Sequence, residues 1–424
     1  MEYKEYNNKT YNLYTIKTDK FKTNHMEIVF RNNIVKEDIT KRNMITEMLV
    51  ENSKIFPTRR DMIIELENLY NSYFYGVNNR IGSSILTSFC FDFINPDLVG
   101  ESVDKFIEFP FKVIFNPNQK NNEFDITTFN YVKTRIENDI NSIIEDPKRY
   151  SIQELLNNMC SDTESSINLS GYKKDLNVIT NSNLYDYYLN MIEHDYIDIY
   201  IIGDLDMDYV ARIIDNKFNL NILKNHKINF EVNNKFVKKP RRVVKTFNCG
   251  QENICVGLNL DNINDYEKNY VGYIYNLILG GGSLETKLYN RLRNENSLCY
   301  SASSIYQKFD KLIIIHTAIS KENEDKAIKL IKESINDMIY NLTDEEIEDS
   351  KKLISSTLNM SLDNPGKIID NYIYKNLYGL EPIEERIEKY NNITKEDIIK
   401  FAKKVKINTI LCLRDGEDEE NKDR

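Results

Sequence analysis

The sequence is poor in the side chains that hold a catalytic zinc ion. Its 424 residues contain only four histidines and six cysteines. They are His25, His194, His226 and His316, and Cys90, Cys160, Cys249, Cys255, Cys299 and Cys412. A zinc site usually draws a closely spaced pair of ligands from one element. No two of these histidines can share one helix face and no C-x-x-C pair occurs, so the sequence predicts neither a bound metal nor another cofactor.

Long apolar runs and a basic excess are also missing. The longest apolar runs, 197–202 and 312–315, have the length of strands and are too short to span a bilayer. The first residues lack the apolar stretch of a signal peptide. The net charge of -10 offers no excess of basic residues for binding phosphates. With few, scattered cysteines, these features predict a cytoplasmic protein with no membrane span and no nucleic-acid partner.

What the sequence does contain is a weak internal repeat. Residues 178–205 and 392–416 each show Ile-Thr, a polar N-cap, a short amphipathic helix and an alternating apolar strand that ends near a glycine. Such a repeat predicts two homologous halves of roughly 200 residues. We expect these halves over 1–218 and 243–416, with a polar linker over 219–242 and a disordered acidic tail over 417–424.

Helix and strand patterns are mixed in both halves. Capping boxes predict helices that begin at Thr58 and Thr343, and periodic isoleucines predict a helix over 127–145. Alternating apolar residues predict strands at 26–31, 83–93, 196–202, 252–260, 301–307, 311–319 and 408–413. The expected fold is α+β, with two α/β-sandwich halves that each contain a mainly antiparallel sheet flanked by helices.

Three stretches resemble the insulinase (pitrilysin) family of zinc metallopeptidases. They are 39–58, 171–203 and 279–304, of which the last, LGGGSLETKLYNRLRNENSLCYSASS, is the most specific. The resemblance covers nearly the whole chain and is greatest to an inactive bacterial branch of the family. It implies a clamshell of two homologous halves joined by a linker. In active members, a helix with the motif H-x-x-E-H holds the zinc ion.

The positions of that zinc motif carry other side chains here. Counting back from the Pro-Thr turn at 57–58 places Asn43, Thr46 and Glu47 where the family has His, Glu and His. Asn43 is a poor neutral ligand, Thr46 cannot act as a carboxylate base, and Glu47 alone does not retain zinc. The resemblance therefore implies a peptidase fold without peptidase chemistry.

The third zinc ligand of the family is a glutamate on a later helix. Asp139 stands at the matching position, and Glu137 is a competing candidate because the local alignment is loose. An atypical metal site around Glu47 and Asp139 is the least favoured alternative, and it would make the chain a peptidase in its own right.

The most specific stretch implies an element that binds substrate. Arg293 and Tyr300 match an Arg and a Tyr that bind the substrate backbone and the oxyanion in active members. Gly280, Gly281 and Gly282 predict a flexible loop of close approach before a helix N-terminus. The run lacks the Gly-Lys-Ser/Thr ending of a phosphate-binding loop. A packing or interface role for Arg293 and Tyr300 stays open beside the substrate-binding one.

The function that the resemblance favours is a non-catalytic subunit. Such a chain would pair with an active H-x-x-E-H homologue, or with a second copy of itself, and form part of a chamber around an extended peptide. A purely structural subunit of the same fold is the main alternative. His194 beside Asp195 resembles one piece of a metal motif, but we interpret it as a histidine at a helix end.

Overall fold

A computed structural model describes residues 1–8, 10–217, 228–236, 239–282 and 284–416. Residues 219–227 and 237–238 of the predicted linker over 219–242, and the whole predicted tail over 417–424, lie outside the described residues. The chain forms two compact units. Unit 1 consists of Met1–Asn141, Asn168–Phe230 and Leu362–Tyr374, and unit 2 consists of Ser142–Ile167, Glu231–Ser361 and Lys375–Arg424.

Unit 1 contains a six-stranded sheet and a short hairpin. Its strands are β1 Glu2–Asn7, β2 Asn12–Lys17, β3 Thr23–Asn33, β4 Tyr73–Ile81, β5 Ser84–Ile94, β6 Gln119–Lys120, β7 Glu123–Phe124 and β8 Tyr196–Gly203. The sheet has the order β1-β2-β8-β3-β5-β4, and β6 pairs with β7. Only the pair of β2 and β8 is parallel among these described pairs.

Unit 2 contains a five-stranded sheet. Its strands are β9 Arg241–Phe247, β10 Glu252–Leu260, β11 Ala302–Gln307, β12 Leu312–Ile319 and β13 Val405–Asp415. The order is β11-β12-β10-β13-β9, with β9 parallel to β13 and the other pairs antiparallel. Five strands of unit 1, β2, β3, β4, β5 and β8, follow the same order and directions as these five. This shared topology is the one that an internal duplication produces, and the predicted, mainly antiparallel sheets are confirmed.

Helices accompany both sheets. They are α1 Ile39–Glu51, α2 Arg59–Asn68, α3 Val103–Ile114, α4 Ile126–Glu145, α5 Pro147–Met159, α6 Lys173–Leu176, α7 Asn181–His194, α8 Met207–Lys217, α9 Gly272–Asn276, α10 Lys287–Tyr289, α11 Glu324–Tyr340, α12 Asp344–Ser361, α13 Pro365–Tyr378, α14 Ile383–Asn391 and α15 Lys395–Ala402. π-Helical turns at Glu267–Val271 and Leu277–Gly281 flank α9, and a third at Asn290–Asn294 follows α10. None of the described helices is both long and apolar enough to cross a membrane.

The repeat seen in the sequence has a structural counterpart. Thr180 and Asn183 form a capping box that opens α7, and Thr394 and Asp397 form the same device at α15. Each of these helices leads directly into a central strand, β8 or β13, of its own sheet. Local sequence thus determines the helix start and the following strand in the same way in both halves.

Each unit includes a segment from the opposite half of the chain, namely 142–167 in unit 2 and 362–374 in unit 1. In unit 2, Leu155 and Met159 of α5 pack against the sheet residues Cys255 and Leu411. An apolar sheet face must be covered, and here a helix from the other half covers it. The compact units therefore do not coincide with the predicted ranges 1–218 and 243–416, which stay a prediction about homologous halves.

Candidate functional site

The polar groups at the first two zinc-motif positions, both on α1, are already engaged in hydrogen bonds. Asn43 Nδ2 donates to the carbonyl of Leu169 at 2.8 Å, and Asn43 Oδ1 accepts from Asn78 Nδ2 at 2.9 Å. Thr46 Oγ1 donates to the carbonyl of Arg42 at 2.8 Å and accepts from the same Asn78 amide at 2.9 Å. A neutral network therefore joins these two positions to β4.

The third motif position, Glu47, faces a cation. Arg135 Nη1 of α4 lies 2.9 Å from Glu47 Oε2 and 3.3 Å from Glu51 Oε1. Burial raises the pKa of Glu47 above its ordinary value, the positive charge of Arg135 lowers it, and the charges of Asp139 and Glu51 raise it further. The structure thus places Asp139, the predicted third ligand, close enough to act on Glu47. Asp139 itself is exposed.

These residues do not fit a zinc ion. Catalytic zinc needs three nitrogen, sulfur or charged oxygen ligands around an open position, whereas the motif here supplies an amide, a hydroxyl and one carboxylate. The guanidinium of Arg135 repels a divalent cation, so an ion at Glu47 would first have to displace it. The competing candidate Glu137 is paired with Lys173 at 3.4 Å. The contacts therefore disfavour an atypical metal site around Glu47 and Asp139.

Restoring the motif alone is expected to fail. In the triple variant Asn43→His, Thr46→Glu, Glu47→His, Arg135 and Asn78 still surround the new ligands, so we expect no more bound zinc than in the unmodified chain and no peptidase activity. Elemental analysis after dialysis and a peptide-cleavage assay measure both. If the triple variant binds an additional zinc ion while Arg135 is still present, and adding Arg135→Ala does not increase that binding, the role assigned to Arg135 would be contradicted.

A buried ion pair holds α1 in place just before the degenerate motif. Arg42 Nη1 donates to Asp195 Oδ2 at 2.8 Å and to Thr87 Oγ1 at 3.1 Å, and Arg42 Nε donates to the Tyr187 hydroxyl at 3.1 Å. Arg42 is 4% exposed and Asp195 is 0% exposed. Sequence reasoning weighed only His194 at this point and missed the role of its neighbour. His194 does lie at the end of α7.

The predicted substrate-binding pair of unit 2 is assembled at the surface. The Arg293 guanidinium lies 5.0 Å from the centre of the Tyr300 ring, within the range of a cation–π contact. Tyr300 is 80% exposed, while the adjacent Leu292 and Cys299 are buried. Within the described part of the chain, neither Arg293 nor Tyr300 makes a side-chain hydrogen bond or ion pair. The buried neighbours therefore fix the backbone at Arg293 and Tyr300, while the side-chain donors of both residues stay unused within the described residues.

The glycine run 280–282 lies at a packed helix end and not in a loop. Gly280 and Gly281 complete the second π-helical turn beside α9, and Gly282 follows as its C-cap. A Cβ atom on Gly280 would lie 2.9 Å from the backbone nitrogen of Ser304 in β11, and one on Gly281 would lie 2.2 Å from the Asn276 amide nitrogen. The predicted close approach is present. The predicted flexible loop is wrong at Gly280 and Gly281, because both glycines end a helix: Gly280 lets it pack against β11, and Gly281 packs against the preceding turn.

Unit 1 also contains a polar cluster that residue spacing did not reveal. His25 and Glu27 lie on β3, and Cys90 and Asp92 lie on β5. In the sheet register His25 is opposite Asp92, and Glu27 is opposite Cys90. The only sequence signal is a pair of alternating motifs, H-x-E and C-x-D, in two strands, and register alone brings them together. Although burial lowers the pKa of His25, hydrogen bonds with Asp92, Cys90 and Glu27 raise it to about 11.

The repeated α+β halves and the helix without metal ligands define a homologue of the zinc metallopeptidases that lacks their catalytic motif. Residues 179–354 match the family described as "Peptidase M16 inactive domain". The chain is 24% identical over 413 residues to the Bacillus subtilis (strain 168) protein named "Probable inactive metalloprotease YmfF", with 95% of each chain covered. The predicted resemblance to the inactive members of the insulinase (M16) metallopeptidase family is confirmed.

Solved structures share the fold. A conserved protein from Enterococcus faecalis V583 superposes with a TM-score of 0.89 at 23% identity, covering 96% of this chain and 97% of that one. A peptidase M16 inactive domain from Pseudomonas fluorescens superposes with a TM-score of 0.79 at 15% identity, covering 99% of both chains. These similarities establish the predicted α+β fold of the insulinase-like class.

Proposed function

We propose that this chain is a non-catalytic subunit of an insulinase-type zinc peptidase. Its partner is an active homologue with an intact H-x-x-E-H helix, which supplies the zinc and the hydrolysis. This chain contributes part of the surface that binds an extended peptide. We place this assembly in the cytoplasm, where six cysteines outside disulfide bonds stay reduced.

The pair formed by the half-buried Arg293 and the exposed Tyr300 carries this proposal. A guanidinium and a phenol that contact each other, with their donors unused within the described residues, are suited to bind peptide carbonyls. Holding an 80% exposed tyrosine against an arginine has no evident packing purpose. The functional role of the pair in active members agrees with this geometry.

An edge strand next to the pair supports an extended ligand. The strand β11 begins at Ala302, two residues after Tyr300, and pairs on one side only, with β12, in the described sheet. Edge strands offer backbone donors and acceptors that an extended peptide can pair with. Arg293 and Tyr300 would then contact the peptide at the start of that strand.

The test is to mix the chain with an active homologue from the same genome. We expect a complex in size-exclusion chromatography with light scattering, and faster cleavage of an unstructured peptide than by the partner alone. In the double variant Arg293→Ala/Tyr300→Ala, we expect the complex to persist and kcat/KM to fall by about 30-fold, the effect of losing about 2 kcal/mol of contacts.

The matched control removes two other surface side chains of unit 2. Tyr340 is 78% exposed and the Lys329 side chain is 77% exposed, so Lys329→Ala/Tyr340→Ala changes charge and aromatic content equally. This control should leave cleavage unchanged. A complex whose activity survives Arg293→Ala/Tyr300→Ala would favour the purely structural role. Absence of both complex and rate change would refute the proposal.

A further inference from the structure

We propose that His25, Glu27 and Cys90 form a zinc-binding site on the sheet of unit 1, separate from the degenerate motif on α1. The three side chains are 3%, 7% and 3% exposed. One ligand atom from each lies within 4.8 Å of the other two. Nitrogen, thiolate and carboxylate are the ligand types that zinc takes in proteins.

The strand register creates this arrangement. His25 and Glu27 alternate on β3 and so point to the same face of the sheet, and Cys90 and Asp92 do the same on β5. The intervening Met26 belongs to the apolar core on the other face, the face that α1 helps to cover. The cluster and the degenerate motif therefore lie on opposite faces of one sheet.

The distances are close to those of a tetrahedral site. His25 Nε2 is 3.1 Å from Glu27 Oε1. Zinc–ligand bonds of about 2.0–2.3 Å place neighbouring ligand atoms about 3.3–3.8 Å apart. The three ligand atoms all lie within 4.8 Å of one another, so the widest pair needs to approach by roughly 1 Å to bind one zinc ion.

Asp92 completes the arrangement without being a ligand. Its Oδ1 lies 2.6 Å from His25 Nδ1, so Nδ1–H donates to the carboxylate, and a metal that replaces the Nε2 proton facing Glu27 would bind at Nε2. Metal-binding histidines commonly have such a carboxylate behind them, because it fixes the tautomer and the ring orientation. The ring of His25 is thereby aimed at the side on which Glu27 stands.

A cavity of about 440 Å³ borders the cluster. It is lined by Glu27 and Cys90 on the sheet and by Gly366, Lys367 and Asp370 from the start of α13. The Lys367 charge is paired with Asp370 at 2.8 Å. A fourth ligand, such as water, has room on this side, and Gly366 stands beside the His25 ring, since a Cβ there would make an ordinary contact at 3.6 Å from His25 Nε2.

The experiment loads the purified chain with Zn²⁺ alone, dialyses it and measures metal by elemental analysis. We expect about one zinc ion per chain. With Co²⁺ in place of zinc, we expect the near-ultraviolet absorption of a cobalt–thiolate bond. Cys90→Ser should abolish this band and weaken zinc binding by at least about 100-fold, and Asp92→Asn should weaken it by about 10- to 100-fold.

Two controls separate binding at this cluster from binding elsewhere on the chain. Cys299→Ser removes another buried cysteine and should leave zinc and cobalt binding unchanged. Glu47→Gln, on the degenerate motif, should also retain the metal. The proposal is overturned if the wild-type chain keeps no zinc and shows no cobalt–thiolate band, or if Cys90→Ser, shown to be folded by circular dichroism, binds the metals as well as wild type.

Discussion

Replacing Arg42 by methionine should lower the free energy of unfolding by about 3–5 kcal/mol, because it leaves the carboxylate of Asp195 buried without its cation. Asp195 is 0% exposed, and its carboxylate would keep, among the described side chains, only the amide of Asn32, whose Nδ2 donates to Asp195 Oδ1 at 2.7 Å. A methionine fills the space of the arginine stem but cannot donate to Asp195, Thr87 or Tyr187. A buried charge that loses its partner is among the most costly single changes in a protein.

Urea unfolding followed by circular dichroism measures this effect. With a slope of about 2 kcal/mol per molar, the unfolding midpoint should fall by about 2 M. Arg60→Met, at an exposed position of α2, is the matched control and should change the midpoint little. The double variant Arg42→Met/Asp195→Leu should recover much of the loss, since neither charge is then left alone. A loss below about 1 kcal/mol in the single variant would show that the pair is not a main support of α1.

Acidification from about pH 6.5 to about pH 4 should cost unit 2 about 3 kcal/mol through His316 alone. Burial and the charge of Lys148 lower the pKa of His316, the charge of Asp146 raises it, and together they bring it to about 4. Nε2–H donates to Asn253 Oδ1 at 2.9 Å, and Nδ1 has no hydrogen-bond partner among the described residues. A second proton on this ring would therefore be buried without an acceptor.

The direction of this pH dependence follows from the protons that His316 binds in the folded and the unfolded chain. In the unfolded chain His316 binds a second ring proton below pH about 6.5, its ordinary pKa. In the folded chain it binds that proton only near pH about 4. Stability from the neutral histidine is thus complete above pH about 6.5 and is lost as the pH falls toward 4. His316→Gln should flatten this part of the stability profile, and His194→Gln should not. A profile for His316→Gln parallel to that of wild type would refute the assignment.

Several elements could be predicted because their signals are local. The boxes at Thr58, Thr180 and Thr394 use a side chain and a backbone amide three residues apart, so the sequence shows where α2, α7 and α15 begin. Alternating apolar residues likewise indicated β10 and β12. By contrast, the predicted linker over 219–242 includes the first two residues of β9. Most side chains of β9 are exposed or half-buried, so its sequence shows no apolar alternation that would indicate a strand.

At the candidate sites, too, the sequence shows the features that depend on single residues, but not those that depend on contacts between distant residues. That Asn43 and Thr46 are not histidines is visible in the sequence, and so is the loss of zinc chemistry on α1. That Arg135 neutralises Glu47 is not visible, because the two residues meet only when α4 packs beside α1. The cluster of His25 and Cys90 depends on strand register, and a shift of one residue would send these side chains to different faces.

The sequence by itself determined the repeated halves, the helix starts, the central strands and the absence of the H-x-x-E-H motif, since each depends on residues close together in the chain. Only the tertiary structure decided which half supplies each covering helix, which cation stands at the degenerate motif, and that the H-x-E and C-x-D pairs share one sheet face. These outcomes depend on contacts between distant segments, whose pairing is selected by the burial of whole faces and not by any local pattern.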